Sequence, residues 1–210
     1  MIPAPPLPRG LYAVSDGPRV DLVDACAAAL AGGARVLQYR DKGRDAARRL
    51  EEARALRALC ARHGVPLIVN DDVELAAAVG ADGVHLGEHD PSLDEARARL
   101  GAGAIVGVSC YDSFERARQF AAAGADYLAF GAFFPSPTKP QARRAGPELL
   151  RAARALGKPL VAIGGITHAN ARVPIDAGAD CVAVVSALFG AADITASARA
   201  FAALFDPPPS

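Results

Sequence analysis

Gln38, Arg40 and Lys42 place an amide, a guanidinium and an ammonium at alternating positions where the apolar run Val36-Leu37 gives way to polar residues. Residues two apart in a strand share a face, so the three donors line up along one side. A planar fork beside a mobile point charge suits an anion with several oxygens, such as a polyphosphate. An ordinary rim ion pair, with Asp41 or a neighbouring loop, would use only one of them. Two further apolar runs end in carboxylates. Leu67-Ile68-Val69 leads into Asn70-Asp71-Asp72, and Val84-His85-Leu86 leads into Gly87-Glu88-His89-Asp90. Hard divalent ions such as Mg2+ take oxygen ligands, often one or two carboxylates with substrate phosphates. Asp71 and Asp90 fit that use. On local grounds Asp71 or Asp72 could instead cap a helix beginning near Val73, and Asp90-Pro91 reads as a helix start. His85 and His89 lack a third ligand for zinc.

Ser109 ends the run Ile105-Val106-Gly107-Val108, in which Gly107 leaves room for a ligand or a bulky neighbour. Cys110 follows without a paired base, so it is not read as a nucleophile. The longest irregular stretch, Gly131 to Pro140, carries Ser136, Thr138 and Lys139 within four residues. Two hydroxyls and an ammonium can wrap a phosphate, and a plain surface loop is the other reading. Gly164-Gly165 and Val185-Ser186 end the last two apolar runs, where backbone N–H groups can form a second phosphate site.

These groups need elements that bring them to one place. Strands are expected over Leu11–Ser15, Val36–Arg40, Leu67–Asn70, Gly83–Leu86, Ile105–Ser109, Tyr127–Gly131, Leu160–Gly164 and Cys181–Ser186. Ala/Arg/Leu-rich helices lie between them, as in Asp45–His63, Asp112–Ala123 and Pro147–Leu156. Gly80-Ala81-Asp82, Gly124-Ala125-Asp126 and Gly178-Ala179-Asp180 each precede a strand, and Gly33-Ala34 and Gly103-Ala104 do the same without Asp. Gly ends a helix in the left-handed conformation and the chain turns into the next strand. Eight such units imply an α/β fold, a small closed (β/α)8 TIM barrel over residues 11–205. An extended segment over 1–10 and a flexible tail over 206–210 would flank it. An open doubly wound sheet is the runner-up, but no Gly-x-Gly-x-x-Gly follows the first strand. In a barrel, every polar strand end named above faces one mouth.

Composition narrows the partners. Lys plus Arg and Asp plus Glu are both 23, so no basic surface for nucleic acid or acidic tail is indicated. Four scattered cysteines without a Cys-x-x-Cys do not make a disulfide framework. No run is long enough to span a bilayer and the Pro-rich start is not a signal peptide, so a cytoplasmic location is expected. A homo-oligomer is compatible with all of this.

The combination of two anion sites and a divalent-metal site resembles the thiamine phosphate synthase family over about residues 11 to 203. The motifs that carry the resemblance are Gln38-Tyr39-Arg40-Asp41-Lys42, Asn70-Asp71, Val84-His85-Leu86-Gly87 with Asp90, Ser136-Pro137-Thr138-Lys139, and the Gly-Gly-Ile and Val-Ser strand ends. The resemblance implies a transferase that joins a pyrimidine diphosphate to a thiazole phosphate, or its carboxylated form, giving thiamine phosphate and pyrophosphate. Gln38, Arg40, Lys42, Asn70 and Lys139 would hold the diphosphate, Asp71 and Asp90 would bind Mg2+, and Ser109 would touch the pyrophosphate or pyrimidine. Ser136, Thr138, Gly165, Val185 and Ser186 would hold the thiazole phosphate. The implied chemistry is dissociative, with Arg40, Lys42, Lys139 and Ser109 serving the departing pyrophosphate. The chain departs from the family pattern in having Glu88 for Gln, Gly131-Ala132 for Gly-Pro, Ser136 for Thr and Pro140 after the loop Lys. A thiazole tautomerase-like relative would lack the diphosphate and metal set. A phosphate-binding isomerase or aldolase would want an in-strand Lys or a well-placed carboxylate base. A non-catalytic sugar-phosphate-binding barrel would not need the carboxylates.

Overall fold

The computed structural model describes residues 7–135 and 143–206. Its strands are β1 (Gly10–Val14), β2 (Val36–Tyr39), β3 (Leu67–Asn70), β4 (Gly83–Leu86), β5 (Ile105–Tyr111), β6 (Tyr127–Phe130), β7 (Leu160–Ile163) and β8 (Cys181–Val184). They pair in chain order, all parallel, and β8 returns to β1, so the sheet is a closed barrel rather than an open one. The helices between them are α1 (Leu22–Ala31), α2 (Ala46–His63), α3 (Val73–Val79), α4 (Leu93–Leu100), α5 (Phe114–Ala122), α6 (Pro147–Ala153) and α7 (Arg172–Asp176). A short α8 (Ser186–Phe189) and then α9 (Ile194–Ala202) follow β8.

Strand parity explains why these runs are almost wholly apolar. One set of alternating residues, including Leu11, Leu37, Leu67, Val69, Val106 and Leu128, packs outward against the helices in the larger core. The other set, including Tyr12, Val36, Ile68, Ile105, Tyr127 and Val161, fills the barrel itself. Strands buried on both faces cannot alternate apolar with polar. Further along the same inward set the side chains become polar: Gln38, Asn70, His85 and Ser109. The site is therefore the upper layer of the barrel's own interior.

The repeated Gly-Ala-Asp has a second purpose besides ending helices. Asp82 Oδ2 accepts from Leu67 N at 2.8 Å, Asp126 Oδ2 from Val106 N at 2.7 Å and Asp180 Oδ2 from Leu160 N at 2.9 Å. Each of these aspartates also donates its own backbone N–H to the carbonyl of the same residue. The carboxylate thus completes a rung at the barrel floor, where an N–H at the start of a strand would otherwise be buried without a partner. Asp126→Ala should cost about 1–3 kcal/mol, read as a lower melting temperature, and Asp126→Asn, which keeps an acceptor, should cost less. Gly103 does not share the expected role. The glycine that ends α4 is Gly101, at φ +87° and ψ 168°.

Candidate active site

The exit of β2 is held from beneath. Ser15 Oγ accepts from Arg40 N at 2.8 Å and donates to Arg40 O at 3.2 Å. The Asp41 side chain turns away from the mouth and accepts from Arg48 Nη1 at 2.6 Å and from Gly43 N at 2.5 Å. Burial opposes ionisation of Asp41, but Arg48 and the Gly43 N–H outweigh it and hold the carboxyl below its ordinary range. Asp41 is thus committed to the α2 side. Among the described residues no carboxylate pairs with Arg40, whereas Lys42 pairs with Asp71. Of the two forms of rim ion pair, the one with Asp41 is not made by either cation, and the one with a neighbouring loop is made by Lys42 with Asp71.

Asp71 sits in the left-handed region at φ +65°, a conformation that Asp and Asn tolerate better than most residues. Its neighbour Asp72 caps α3, accepting from Leu75 N at 2.9 Å, so the capping role falls to Asp72 and leaves the Asp71 carboxylate for the mouth. The helix start read at Asp90-Pro91 is displaced. Ser92 caps α4 in a reciprocal box with Glu95, while Asp90 accepts from Gly87 N at 2.6 Å. A two-way cap satisfies more orphan N–H groups than Asp90 could alone. Asp71 and Asp90 are near enough that each shifts the ionisation of the other. Burial, and then the contact with Asp71, raises the Asp90 pKa above its ordinary value. Burial also opposes ionisation of Asp71, but Lys42 and the neighbouring Asp90 carboxyl together hold it below. The outer rim of this corner is a cleft of about 600 Å³ whose walls include Lys42, Asn70, Asp71 and Arg99.

Below the carboxylates, five side chains join across the barrel. Gln38 Nε2 donates to Tyr12 Oη at 2.8 Å, and Tyr12 Oη lies 2.9 Å from Tyr127 Oη. Tyr127 Oη lies 2.9 Å from His85 Nδ1, and His85 Nε2 lies 2.9 Å from Ser109 Oγ. The His85 and Tyr127 rings stack at 5.5 Å. Burial pushes the His85 pKa down to about 4, so the imidazole is uncharged near neutrality. The bulky neighbour that Gly107 admits is Tyr127, its register partner on β6. A Cβ on Gly107 would lie 1.9 Å from Tyr127 Cζ. Burial pushes the Cys110 thiol up to about 12, which agrees with no nucleophilic role.

Glu88 faces Arg143, whose Nη2 donates to it at 2.8 Å. The Arg143 guanidinium lies 4.2 Å from the Tyr111 ring centroid, and Tyr111 Oη accepts from Glu88 N at 3.1 Å. Tyr111 reaches this position through a register shift at the end of β5, a device that re-aims side chains beside sites. Glu88→Gln should change stability by less than ~1 kcal/mol, since the pair is half exposed. It should leave the response to Mg2+ unchanged, which a metal titration of turnover would check.

At the far side, Gly165 has φ +64°, and a Cβ there would meet Pro135 O at 2.6 Å. Phe134 N donates to Gly164 O at 2.9 Å. The paired glycines thus admit the chain leaving β6 against the end of β7. Val185 immediately precedes α8, which begins at Ser186. Ser136, Thr138 and Lys139 lie outside the described residues. Gln38, Arg40, Lys42, Asn70, Asp71, Asp90 and Ser109 all stand at the C-terminal ends of consecutive strands β2 to β5 or in the loops that follow them. Tyr12, Tyr127 and Arg143 are absent from the sequence-based set. Gly107 was the available signal for Tyr127, and strand parity the one for Tyr12.

A family model described as thiamine monophosphate synthase matches residues 11–188. The chain is similar to the thiamine-phosphate synthase of Chromobacterium violaceum, 56% identical over 203 residues covering 96% of this chain and 98% of that protein. It is also similar to that of Halorhodospira halophila, 57% identical over 191 residues covering 90% and 91%. Among solved structures it resembles thiamine phosphate pyrophosphorylase from Pyrococcus furiosus, with a TM-score of 0.84 and 35% identity over 93% of this chain and 94% of that one. A thiamine phosphate pyrophosphorylase from Bacteroides thetaiotaomicron, at 18% identity and a TM-score of 0.70 over 93% and 96%, shares the fold.

Proposed function

The chain belongs to the thiamine monophosphate synthase family, and from that premise we propose how its barrel mouth performs the reaction. The protein is a thiamine-phosphate synthase, a transferase that condenses the pyrimidine and thiazole phosphate moieties into thiamine phosphate. In our reading Gln38, Arg40, Lys42 and Asn70 hold the diphosphate of the pyrimidine, joined by Lys139. The observation that carries this is the meeting of Lys42, Asp71 and Asp90 at one corner of the mouth, two residues along the β2 exit from Arg40, with which no described carboxylate pairs.

The same corner fits Mg2+. Asp71 and Asp90 offer ligand oxygens near enough to perturb each other's ionisation, and a cation between them would relieve the repulsion. Among the described residues no group of three or more His, Cys, Asp or Glu forms a cage. The donor set is that of an ion completed by water and substrate phosphate. When bound there, Mg2+ would supply charge neutralisation on the diphosphate.

Arg40, Lys42 and Lys139 stabilise the charge that grows on the pyrophosphate as its bond to the pyrimidine methylene breaks. Ser109 donates a hydrogen bond at the same end. The thiazole phosphate is held by the N–H groups around Gly165, Val185 and Ser186 together with Ser136 and Thr138, which orients the ring nitrogen toward the methylene carbon. That nitrogen attacks with its lone pair and carries no proton to lose, so the site needs no general base. Small phosphorylated molecules are the partners in this reading, and a cytoplasmic location goes with it; no helix among the described residues is long and apolar enough to cross a membrane.

The test is to supply both phosphorylated halves with Mg2+ and to measure thiamine phosphate and pyrophosphate together. Equal amounts of the two, lost on chelation, are expected. Bound substrates without product would reject the assignment of roles.

A further inference from the structure

The five-membered hydrogen-bond chain under the mouth can be read for direction. An amide nitrogen only donates, so Tyr12 Oη accepts from Gln38 Nε2 and has a single proton to pass on. Tyr127 Oη is its remaining partner, at 2.9 Å. Tyr127 then accepts from Tyr12 and gives its own proton to His85 Nδ1. A neutral imidazole that accepts at Nδ1 carries its proton on Nε2. That proton faces Ser109 Oγ at 2.9 Å. Along the chain each hydroxyl and ring nitrogen now has its partner, and the proton left over at its far end is that of the Ser109 hydroxyl.

We propose that this relay runs one way, from the Gln38 amide to Ser109, and makes Ser109 an obligate donor to whatever acceptor enters the mouth. With the Gln38 carbonyl turned to Tyr12, every bond would reverse. Ser109 would spend its proton on His85 Nε2 and present only lone pairs, which repel an anion. Gln38 therefore acts on Ser109 from three strands away in the barrel, through Tyr12, Tyr127 and His85 as positioning residues. Because Tyr12 and Tyr127 are fully buried, water does not compete for these bonds. The identity of the acceptor as a diphosphate oxygen rests on the function proposed above; the direction of the relay does not.

The experiment is nitrogen NMR of histidine-labelled, ligand-free protein, with the His85 signals assigned by their loss in His85→Gln. Wild type should show the proton on Nε2. Gln38→Glu keeps the shape but, ionised at alkaline pH, can only accept, and it should move the proton to Nδ1. Tyr127→Phe, with Tyr12→Phe as a second variant should the first fold poorly, should give mixed tautomers. It should also lower kcat about ten-fold, one hydrogen bond's worth, with KM for the pyrimidine diphosphate changed far less. An Nδ1–H wild type, or a tautomer indifferent to Gln38→Glu, would overturn the relay. Since the tautomer is read without substrate, that failure is distinct from a failure to make thiamine phosphate.

Discussion

Asp71→Asn is expected to lower turnover by about 10²-fold or more without lowering the melting temperature. The substitution keeps the size of the side chain and, at φ +65°, keeps a residue type that tolerates the left-handed region. Its backbone N–H still donates to His85 O, at 2.8 Å. The α3 cap is untouched because Asp72 provides it. Neutralising Asp71 relieves its repulsion with Asp90 but gives up the charge that faces Lys42 in a partly exposed pair, so the two effects offset and the melting temperature should change little. The matched variant is Asp72→Ala, which should cost about 1 kcal/mol through the lost cap, with most of the turnover kept. Thermal melts and steady-state rates on the two variants separate the adjacent aspartates. A joint fall in stability and activity for Asp71→Asn would mean that its carboxylate is structural.

Gly107→Ala should be a severely damaging single methyl in the barrel interior. Its Cβ would fall 1.9 Å from Tyr127 Cζ and 2.1 Å from Cε1, inside a ring rather than against a flexible tip. Tyr127 is fully buried, edge-on to Tyr12 with ring centroids 6.0 Å apart, and stacked on His85. It cannot move without breaking two hydrogen bonds. Overpacking of this kind costs about 3 kcal/mol or more, which in a chain of this size lowers the melting temperature by roughly 6–12 °C. A smaller residue at 127 should restore stability to the alanine variant but not activity. An unchanged melting temperature would show that the barrel has slack at this layer.

The strands were legible because their apolar runs stop abruptly. Leu67–Asn70 and Gly83–Leu86 fall where the sequence places them, each ending at a polar residue or a glycine. β5 runs two residues beyond its expected end because a register shift carries the ladder on to Tyr111, and a bulge has no signature in hydrophobic pattern. The Gln38–Arg40–Lys42 alignment followed from period two alone. What remained hidden depends on non-adjacent strands. A tyrosine in a strand reads as a packing residue, and that Tyr12 and Tyr127 meet across the barrel is a property of closure. Asp41 could pair with either neighbouring cation in the sequence, yet Arg48, in the first turn of α2, claims it, and Lys42 pairs with Asp71 instead. The destination of Glu88 was likewise undecidable, because Arg143 is 55 residues away.

The aspartate rungs at the barrel floor also divide the molecule. Each joins an even-numbered strand to the odd-numbered strand before it: β4 to β3, β6 to β5, β8 to β7. The odd strands β3 and β7 are entered instead through Pro66 and Pro159. Three strand pairs thus carry a carboxylate stitch in addition to the backbone ladder, while the seams between them rest on backbone rungs alone, such as Ile105 N to Asp82 O at 2.8 Å and Gly10 N to Asp180 O at 2.9 Å. Where the chain can be reopened follows from those seams. A circular permutant cut after α4, around Gly101, leaves all three stitches inside continuous chain, whereas one cut at Gly80 moves the Asp82 stitch to a chain end.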